Sequence, residues 1–172
     1  ELPPGACFET PEAVLCHSGK GFGGLSANMH AFVTDHIIPP HWRGRPRPVL
    51  YNSWEGCTFD FSQRRLLSLA NRAKALGCEL FVLDDGWFAG RDNDRAGLGD
   101  YTVNRKKLPE GLEGLSRHLK DRGLSFGLWY EPESVNPDSD LYRAHPDWAL
   151  TVGFRSVLGR NQLVLGLRKP EV

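Results

Sequence analysis

The chain carries no net charge, because 21 lysines and arginines balance 21 aspartates and glutamates across its 172 residues. A partner held mainly by bulk charge, such as duplex nucleic acid or an anionic membrane surface, is therefore not expected. No apolar run approaches the roughly 20 residues that a membrane helix needs; Leu80-Phe81-Val82-Leu83 is typical of the short runs present. There is no signal-like segment and no Cys-x-x-Cys pair. The four cysteines, Cys7, Cys16, Cys57 and Cys78, follow no regular spacing, so buried free thiols are expected rather than disulfides. What the chain does have is an apolar fraction of 40%, with nine Phe, five Trp and four Tyr. That is enough hydrophobic material for a folded core in one or at most two domains, and it excludes a disordered or collagen-like chain. The sequence starts at Glu1 and stops at Lys169-Pro170-Glu171-Val172, in the manner of a fragment.

Residues 1–47 and 48–172 differ in texture. The first stretch is dominated by punctuation: Pro3-Pro4-Gly5, the glycines between Gly19 and Gly24, Pro39-Pro40, and the basic connector Arg43-Gly44-Arg45-Pro46-Arg47-Pro48. Between these, Ala13 to Cys16 reads as a strand and Leu25 to Asp35 as a helix. From Pro48 onward a rhythm appears. Val49 to Trp54 reads as a buried strand, and Phe61 to Leu76 as a helix whose Leu66, Leu67, Leu69, Ala70, Ala73 and Leu76 form an apolar stripe stopped by Gly77. Glu79 to Leu83 is a second strand, closing on Asp84-Asp85-Gly86-Trp87-Phe88 and a long polar loop of the kind that is usually functional. Leu112 to Asp121 is a second helix ended by Gly123, and Ser125 to Tyr130 a third strand, closing on Glu131-Pro132-Glu133.

Strands that are apolar along their length, polar at their C-terminal ends and separated by helices predict an α/β fold with a parallel sheet covered on both faces. A doubly wound sheet and a (β/α)8 barrel share this pattern, and both place their chemistry at the carboxyl ends of the strands. Those ends carry Asn52 to Trp54, Asp84 to Trp87 and Trp129 to Glu133. Indole rings beside carboxylates suit a carbohydrate: a flat apolar surface for one face of a pyranose, with acceptors for its hydroxyls. Trp54, Trp87 and Trp129, with Asp84 and Asp85, supply that combination. The competing structural reading packs the tryptophans under loops and makes an aspartate a cap.

Neighbours in a strand point to opposite faces, but a turn at Gly86 would let Asp84 and Asp85 share a pocket. Side by side, they suit hydrogen bonding to one sugar better than the opposed placement of a glycosidase acid and nucleophile. Glu131 and Glu133 fit catalysis or loop anchoring equally, and Arg160 in Gly159-Arg160-Asn161-Gln162 reads, alone, as a surface charge.

Three other motifs are weaker. Gly19-Lys20-Gly21-Phe22-Gly23-Gly24 contains the Gly-x-Gly-x-x-Gly of a dinucleotide fold, but position 44, where an acidic residue should close the next strand, is a glycine in the basic connector. His30, His36 and His41 follow no metal-ligand spacing. Asp92-Asn93-Asp94 opens like a calcium loop, yet its twelfth position is Val103.

Six blocks in order resemble bacterial α-galactosidases of glycoside hydrolase family thirty-six: Arg47-Pro48-Val49-Leu50-Tyr51-Asn52-Ser53-Trp54-Glu55, Leu83-Asp84-Asp85-Gly86-Trp87-Phe88, Leu98-Gly99-Asp100-Tyr101, Gly127-Leu128-Trp129-Tyr130-Glu131-Pro132-Glu133, His145-Pro146-Asp147-Trp148 and Gly159-Arg160-Asn161-Gln162. The sequence departs from that pattern at Gly166, where the family usually has Asp. The resemblance implies an incomplete (β/α)8 TIM barrel, its first three or so β/α units spanning residues 46–172, preceded in residues 1–45 by the tail of a β-sandwich domain and a linker. It also implies galactose-binding roles for Trp54, Asp84, Asp85 and Arg160, with Trp129 matching an aromatic of the same pocket.

The family's nucleophile and acid/base belong to blocks that this chain does not contain, so the fragment is expected to hold part of the sugar-recognition wall and no catalytic residue. No cofactor and no metal are implied. The expected partner is a small-molecule α-galactoside, such as melibiose or raffinose, acted on with retention by a longer, cytoplasmic, homo-oligomeric protein. A galactosyltransferase of raffinose-synthase type and a noncatalytic galactose-binding module are the alternatives.

Overall fold

The structure is a computed structural model that describes residues 2–153, 155–156 and 159–172, with the side chains of Arg155 and Ser156 left aside. It divides into two units, residues 1–47 and 48–172. In the first, helix α1 (Gly21–Phe32) runs on through a π-helical turn at Val33–Ile37, and a short 3-10 turn follows at Pro40–Trp42. The helix begins at the motif glycine Gly21 and not at Leu25, and Ala13 to Cys16 forms no strand. Without a preceding strand the Gly-x-Gly-x-x-Gly run is a helix start and not a βα turn. None of residues 2–47 is buried, which removes the apolar pairing a strand there would need.

The second unit carries the expected rhythm. Strands β1 (Leu50–Asn52), β2 (Leu80–Leu83) and β3 (Ser125–Leu128) form a parallel sheet in the order β1-β2-β3. Leu50 pairs with Leu80, and Leu80 with Ser125, so the three strands end nearly level. A four-residue helix, α2 (Trp54–Cys57), takes up the chain where the sequence suggested the end of a strand, and α3 (Gln63–Ala75) and α4 (Gly111–Asp121) fill the two crossovers. Ser62 caps α3 by accepting the Arg65 N–H, and the glycines after α3 and α4, Gly77 and Gly123, take the left-handed conformation that ends a helix, with φ of 89° and 70°.

Alternation along β2 explains how the sheet is covered. Phe81 and Leu83 are wholly buried and share one cluster with Leu66 and Ala70 of α3 and Leu115 and Leu119 of α4, whereas Leu80 and Val82, on the opposite face, are half-buried. Leu50 of β1 remains half exposed. The prediction of cover on both faces is therefore corrected: among the described residues only the helix-side face is covered, because α3 and α4 both lie on that side.

Beyond β3 the chain forms small pieces. Strand β4 (Ser134–Val135) pairs antiparallel with β7 (Leu163–Val164), and a hairpin joins β5 (Thr151–Val152) to β6 (Arg155–Ser156). Between them lie α5 (Asp140–Ala144) and a 3-10 turn at Pro146–Trp148. Val135, Leu163 and Leu165 make a second, smaller core, and the buried Gly166 donates its N–H to the Trp148 carbonyl at 2.8 Å. A Cβ at Gly166 would approach Leu150 and that same carbonyl at 3.3 Å, a tight fit that a glycine avoids. All four cysteines are free, but only Cys57 is buried, since Cys7 is exposed and Cys16 and Cys78 are intermediate. Burial also pushes the Cys57 thiol up from its ordinary pKa. No helix among the described residues is long and apolar enough to cross a membrane.

Candidate functional site

The level C-terminal ends of the three strands open into a cavity of about 600 Å³, within the range typical of small-molecule sites. Its wall comprises Asn52, Trp54, Glu55, Phe59, Asp84, Asp85, Asp94, Trp129, Glu131 and Arg160. All five residues singled out in the sequence, Trp54, Asp84, Asp85, Trp129 and Arg160, are among them.

Each strand end is fixed by polar contacts that continue the ladder after the strand stops. Ser53 donates its N–H to the Val82 carbonyl, and Trp129 donates to Leu83, which carries the pairing one step past β1 and β3. Asn52 bridges two ends: its side-chain amide donates to Asp84 Oδ2 at 2.6 Å, and its carbonyl oxygen accepts the Trp54 N–H at 2.7 Å. The Asp84 N–H rests on Ser53 Oγ, and Asp84 Oδ1 accepts the Asp85 N–H. The strand has ended at Leu83, so alternation no longer applies and both aspartates face one cavity. Gly86 makes the turn at φ 94°; a Cβ there would meet the Phe59 ring at 2.9 Å, so only glycine closes it comfortably.

The two aspartates differ in what holds them. Asp84 is half-buried and meets the cavity with one donor on each oxygen. Asp85 is 6% exposed and is gripped by Arg91, itself 1% exposed, through a forked pair whose shortest contact is 2.7 Å. A buried cation six residues after Asp85 escaped the sequence reading, because Arg91 sits in a loop whose Asp, Asn and Arg content looks solvated. The same holds for Asn52, Glu55, Phe59 and Asp94 as cavity residues. Only the position of Asn52 at a strand end gave a signal.

Trp87 is a correction. It does not join the cavity wall but is 3% exposed, stacked on Tyr101 at 5.9 Å with its indole N–H given to the Trp129 carbonyl. Its backbone turns inward just after Gly86, so the ring joins the core and supports Trp129 from behind. Tyr101 is held in the same layer by donating its hydroxyl to the Glu131 carbonyl at 2.5 Å, and burial drives its pKa upward. Glu131 reaches the cavity, whereas Glu133 is exposed and lies off it, since β3 ends at Leu128 and the alternation predicted across Pro132 never develops.

Arg160 occupies a tight turn in which Gln162 donates to the Gly159 carbonyl at 2.9 Å and both central residues are left-handed, Arg160 at φ 50° and Asn161 at φ 58°. Left-handed backbone costs a non-glycine residue about 1–2 kcal/mol, and the surroundings hold it in place. Asn161 donates to the Arg95 carbonyl, Gln162 to the Asp94 carbonyl, and Asn136 to the Asn161 carbonyl. The block Leu98-Gly99-Asp100 proves structural: Asp100 accepts the Asp140 and Leu141 N–H groups at the start of α5.

Among the described residues no three His, Cys, Asp or Glu side chains converge to hold a metal ion. The cavity instead offers indole faces, acceptor oxygens on Asp84, Asp85, Asp94 and Glu131, and one guanidinium, a set suited to a neutral polyhydroxylated ring.

Comparison with known proteins decides the family. The sequence profile described as Melibiase matches residues 7–172. The chain belongs to the Melibiase family. Alpha-galactosidase AgaA of Geobacillus stearothermophilus is 49% identical over 172 residues, covering 99% of this chain and 24% of its own length. An alpha-galactosidase of Escherichia coli is 47% identical over 165 residues, covering 94% and 23% respectively. The crystal structure of an AgaA variant in complex with raffinose matches at a TM-score of 0.82 with 48% identity, over 86% of this chain and 21% of that one. A second AgaA variant, in complex with 1-deoxygalactonojirimycin, matches at 0.85 with 48% identity, over 90% and 22%. This Melibiase chain thus has the α/β fold with parallel sheet of family thirty-six α-galactosidases, and it spans about a quarter of the length of the curated relatives it matches.

Proposed function

We propose that this chain forms the first three β/α units of a (β/α)8 barrel, and that the protein carrying it is a retaining α-galactosidase that removes terminal α-galactosyl residues from oligosaccharides such as raffinose. Residues 1–45 are assigned to the end of a preceding β-sandwich domain and its linker. The observation that carries the reading is one cavity at three successive strand ends lined by Trp54, Trp129, Asp84, Asp85 and Arg160. In it, Trp54 and Trp129 offer apolar surface to the carbon face of the galactose. Asp84 and Asp85 accept from vicinal hydroxyls, and Arg160 donates to a ring or hydroxyl oxygen. Raffinose in the AgaA complex supports the substrate class.

Cleavage with retention needs two carboxyls about 5–5.5 Å apart flanking the bond. Asp84 and Asp85 are adjacent in sequence, and Asp85 is committed to Arg91. The reacting pair is therefore assigned to residues outside this chain, which supplies recognition.

The test is hydrolysis of an aryl α-galactoside by the protein carrying this chain, with the anomer of the first-formed galactose followed by NMR. Release of α-galactose is expected, together with no turnover above buffer by residues 1–172 alone. Release of β-galactose would overturn retention, and turnover by residues 1–172 would overturn the placement of catalysis elsewhere. Transfer to sucrose in preference to water would convert the reading to a galactosyltransferase.

A further inference from the structure

We propose that Arg91 is the positioning residue of this cavity: one buried guanidinium that aims Asp85 and ties together the loop and turn that present Asp94 and Arg160. The inference rests on the function proposed above and assigns a role to a residue outside the cavity wall.

A buried guanidinium has five donors to satisfy and is costly to leave unpaired. Arg91 spends its donors in two directions. Nε donates to Asp85 Oδ1 at 2.9 Å and Oδ2 at 3.0 Å, Nη2 donates to Oδ2 at 2.7 Å, and Nη1 donates to the Ala96 carbonyl at 3.0 Å. Its guanidinium carbon also lies 5.8 Å from the centre of the Phe59 ring, and Phe59 meets Trp54 edge-on at 5.1 Å. The cation therefore touches the acidic strand end, the ring that backs Trp54 and the polar loop. That loop supports the Arg160 turn through the Arg95 and Asp94 carbonyls. Lys107 secures the arrangement from below, donating to the Gly86 carbonyl at 3.0 Å and pairing with Asp92 at 2.8 Å.

Acceptor accounting shows what this does to the site. An ionised carboxylate has about four acceptor positions. Asp85 gives Oδ1 to the Gly86 N–H as well as to Arg91, so nearly all its capacity is committed. Asp84 has a position to spare on each oxygen. Arg91 thus fixes which lone pair of Asp85 a hydroxyl can reach, and leaves Asp84 as the freer acceptor. Lysine keeps the charge but loses the planar fork that sets this orientation.

The experiment measures kcat and KM for an aryl α-galactoside with Arg91→Lys, Asp85→Asn and the double variant of the protein carrying this chain, alongside amide hydrogen exchange. Arg91→Lys is expected to raise KM at least tenfold with a smaller fall in kcat. The double variant should be no worse than Asp85→Asn, because the two residues act as one unit. Exchange should quicken across residues 93–98 and 159–162 but not in α3 or α4. Wild-type kinetics in Arg91→Lys with only a lowered Tm, or losses that add in the double variant, would overturn the proposal.

If Arg91→Lys does not fold, Arg91→Gln takes its place with the same outcomes. If the unmodified protein turns over no α-galactoside, the proposed function fails. Exchange then decides the role of Arg91 separately: quickening confined to the two segments supports it, and an unchanged pattern overturns it.

Discussion

The flank and the rim of the sheet are built on opposite physical terms. On the flank, Phe81 and Leu83 meet Leu66, Leu115 and Leu119, all fully buried and apolar. Their stabilisation scales with area and tolerates changes of shape. At the rim, Asn52, Ser53, Asp84, Asp85 and Arg91 are held by named donors and acceptors at 2.6–3.0 Å, where direction matters as much as distance. The flank should therefore set stability, and the rim should set recognition.

The sharpest way to break that division is Asp84→Ala. Asp84 has two free acceptor positions facing the cavity, and hydrogen bonds to charged groups contribute about 1.5–3 kcal/mol each. A loss of kcat/KM of about 10³ on an aryl α-galactoside is expected, with Tm nearly unchanged. A large fall in Tm with intact kcat/KM would move Asp84 from recognition to support.

Next in size is the mirror-image change on the flank. Leu115 is 0% exposed between α4 and the sheet, so Leu115→Ala should cost about 2–5 kcal/mol of unfolding free energy. KM of the folded protein should stay at its original value. A shifted KM would mean that the flank transmits strain to the rim.

The same contrast explains what could be seen in the sequence. Area-driven elements were legible: the stripe in α3, the run in β2 and the stops at Gly77 and Gly123 all fell within two residues of their observed limits. The aspartates were legible because they sit at a strand end, where parallel α/β folds gather chemistry. Arg91 was not, since burial of a charge depends on a partner reached through loop geometry. Trp87 failed for the converse reason. Its type and place suit a sugar, and only the turn at Gly86 decides that it faces the core. The first unit was poorly legible because its local signals, such as Val14 and Leu15 in the expected strand, lack the burial that would enforce them.

A smaller effect separates strain from recognition at the Arg160 turn. Arg160→Gly removes the left-handed penalty but adds backbone entropy to the unfolded chain, so stability should rise by up to about 1 kcal/mol. Galactose affinity, measured calorimetrically, should fall by about 10- to 100-fold through loss of a charged donor. Lost stability together with full affinity would show that Arg160 holds the turn instead of the sugar.

The least of these effects lies where the flank borrows the directional chemistry of the rim. Glu110, at the start of α4, accepts from the Gln63 side chain at the start of α3 and meets His118 Nε2 at 3.2 Å through both oxygens. Those contacts, the histidine first, hold its carboxyl below its ordinary pKa. A carboxyl lowered on folding contributes stability above its unfolded pKa of about 4.3 and loses it as pH falls through the folded value. Glu110→Gln should therefore lower Tm slightly at pH 7, and the gap from the unmodified protein should close as the pH drops below about 4. Glu110 is fully exposed, and salt should shrink the gap as well. A Tm difference that persists unchanged at pH 3 would mean that the Gln63 contact, and not the carboxylate charge, joins the two helices.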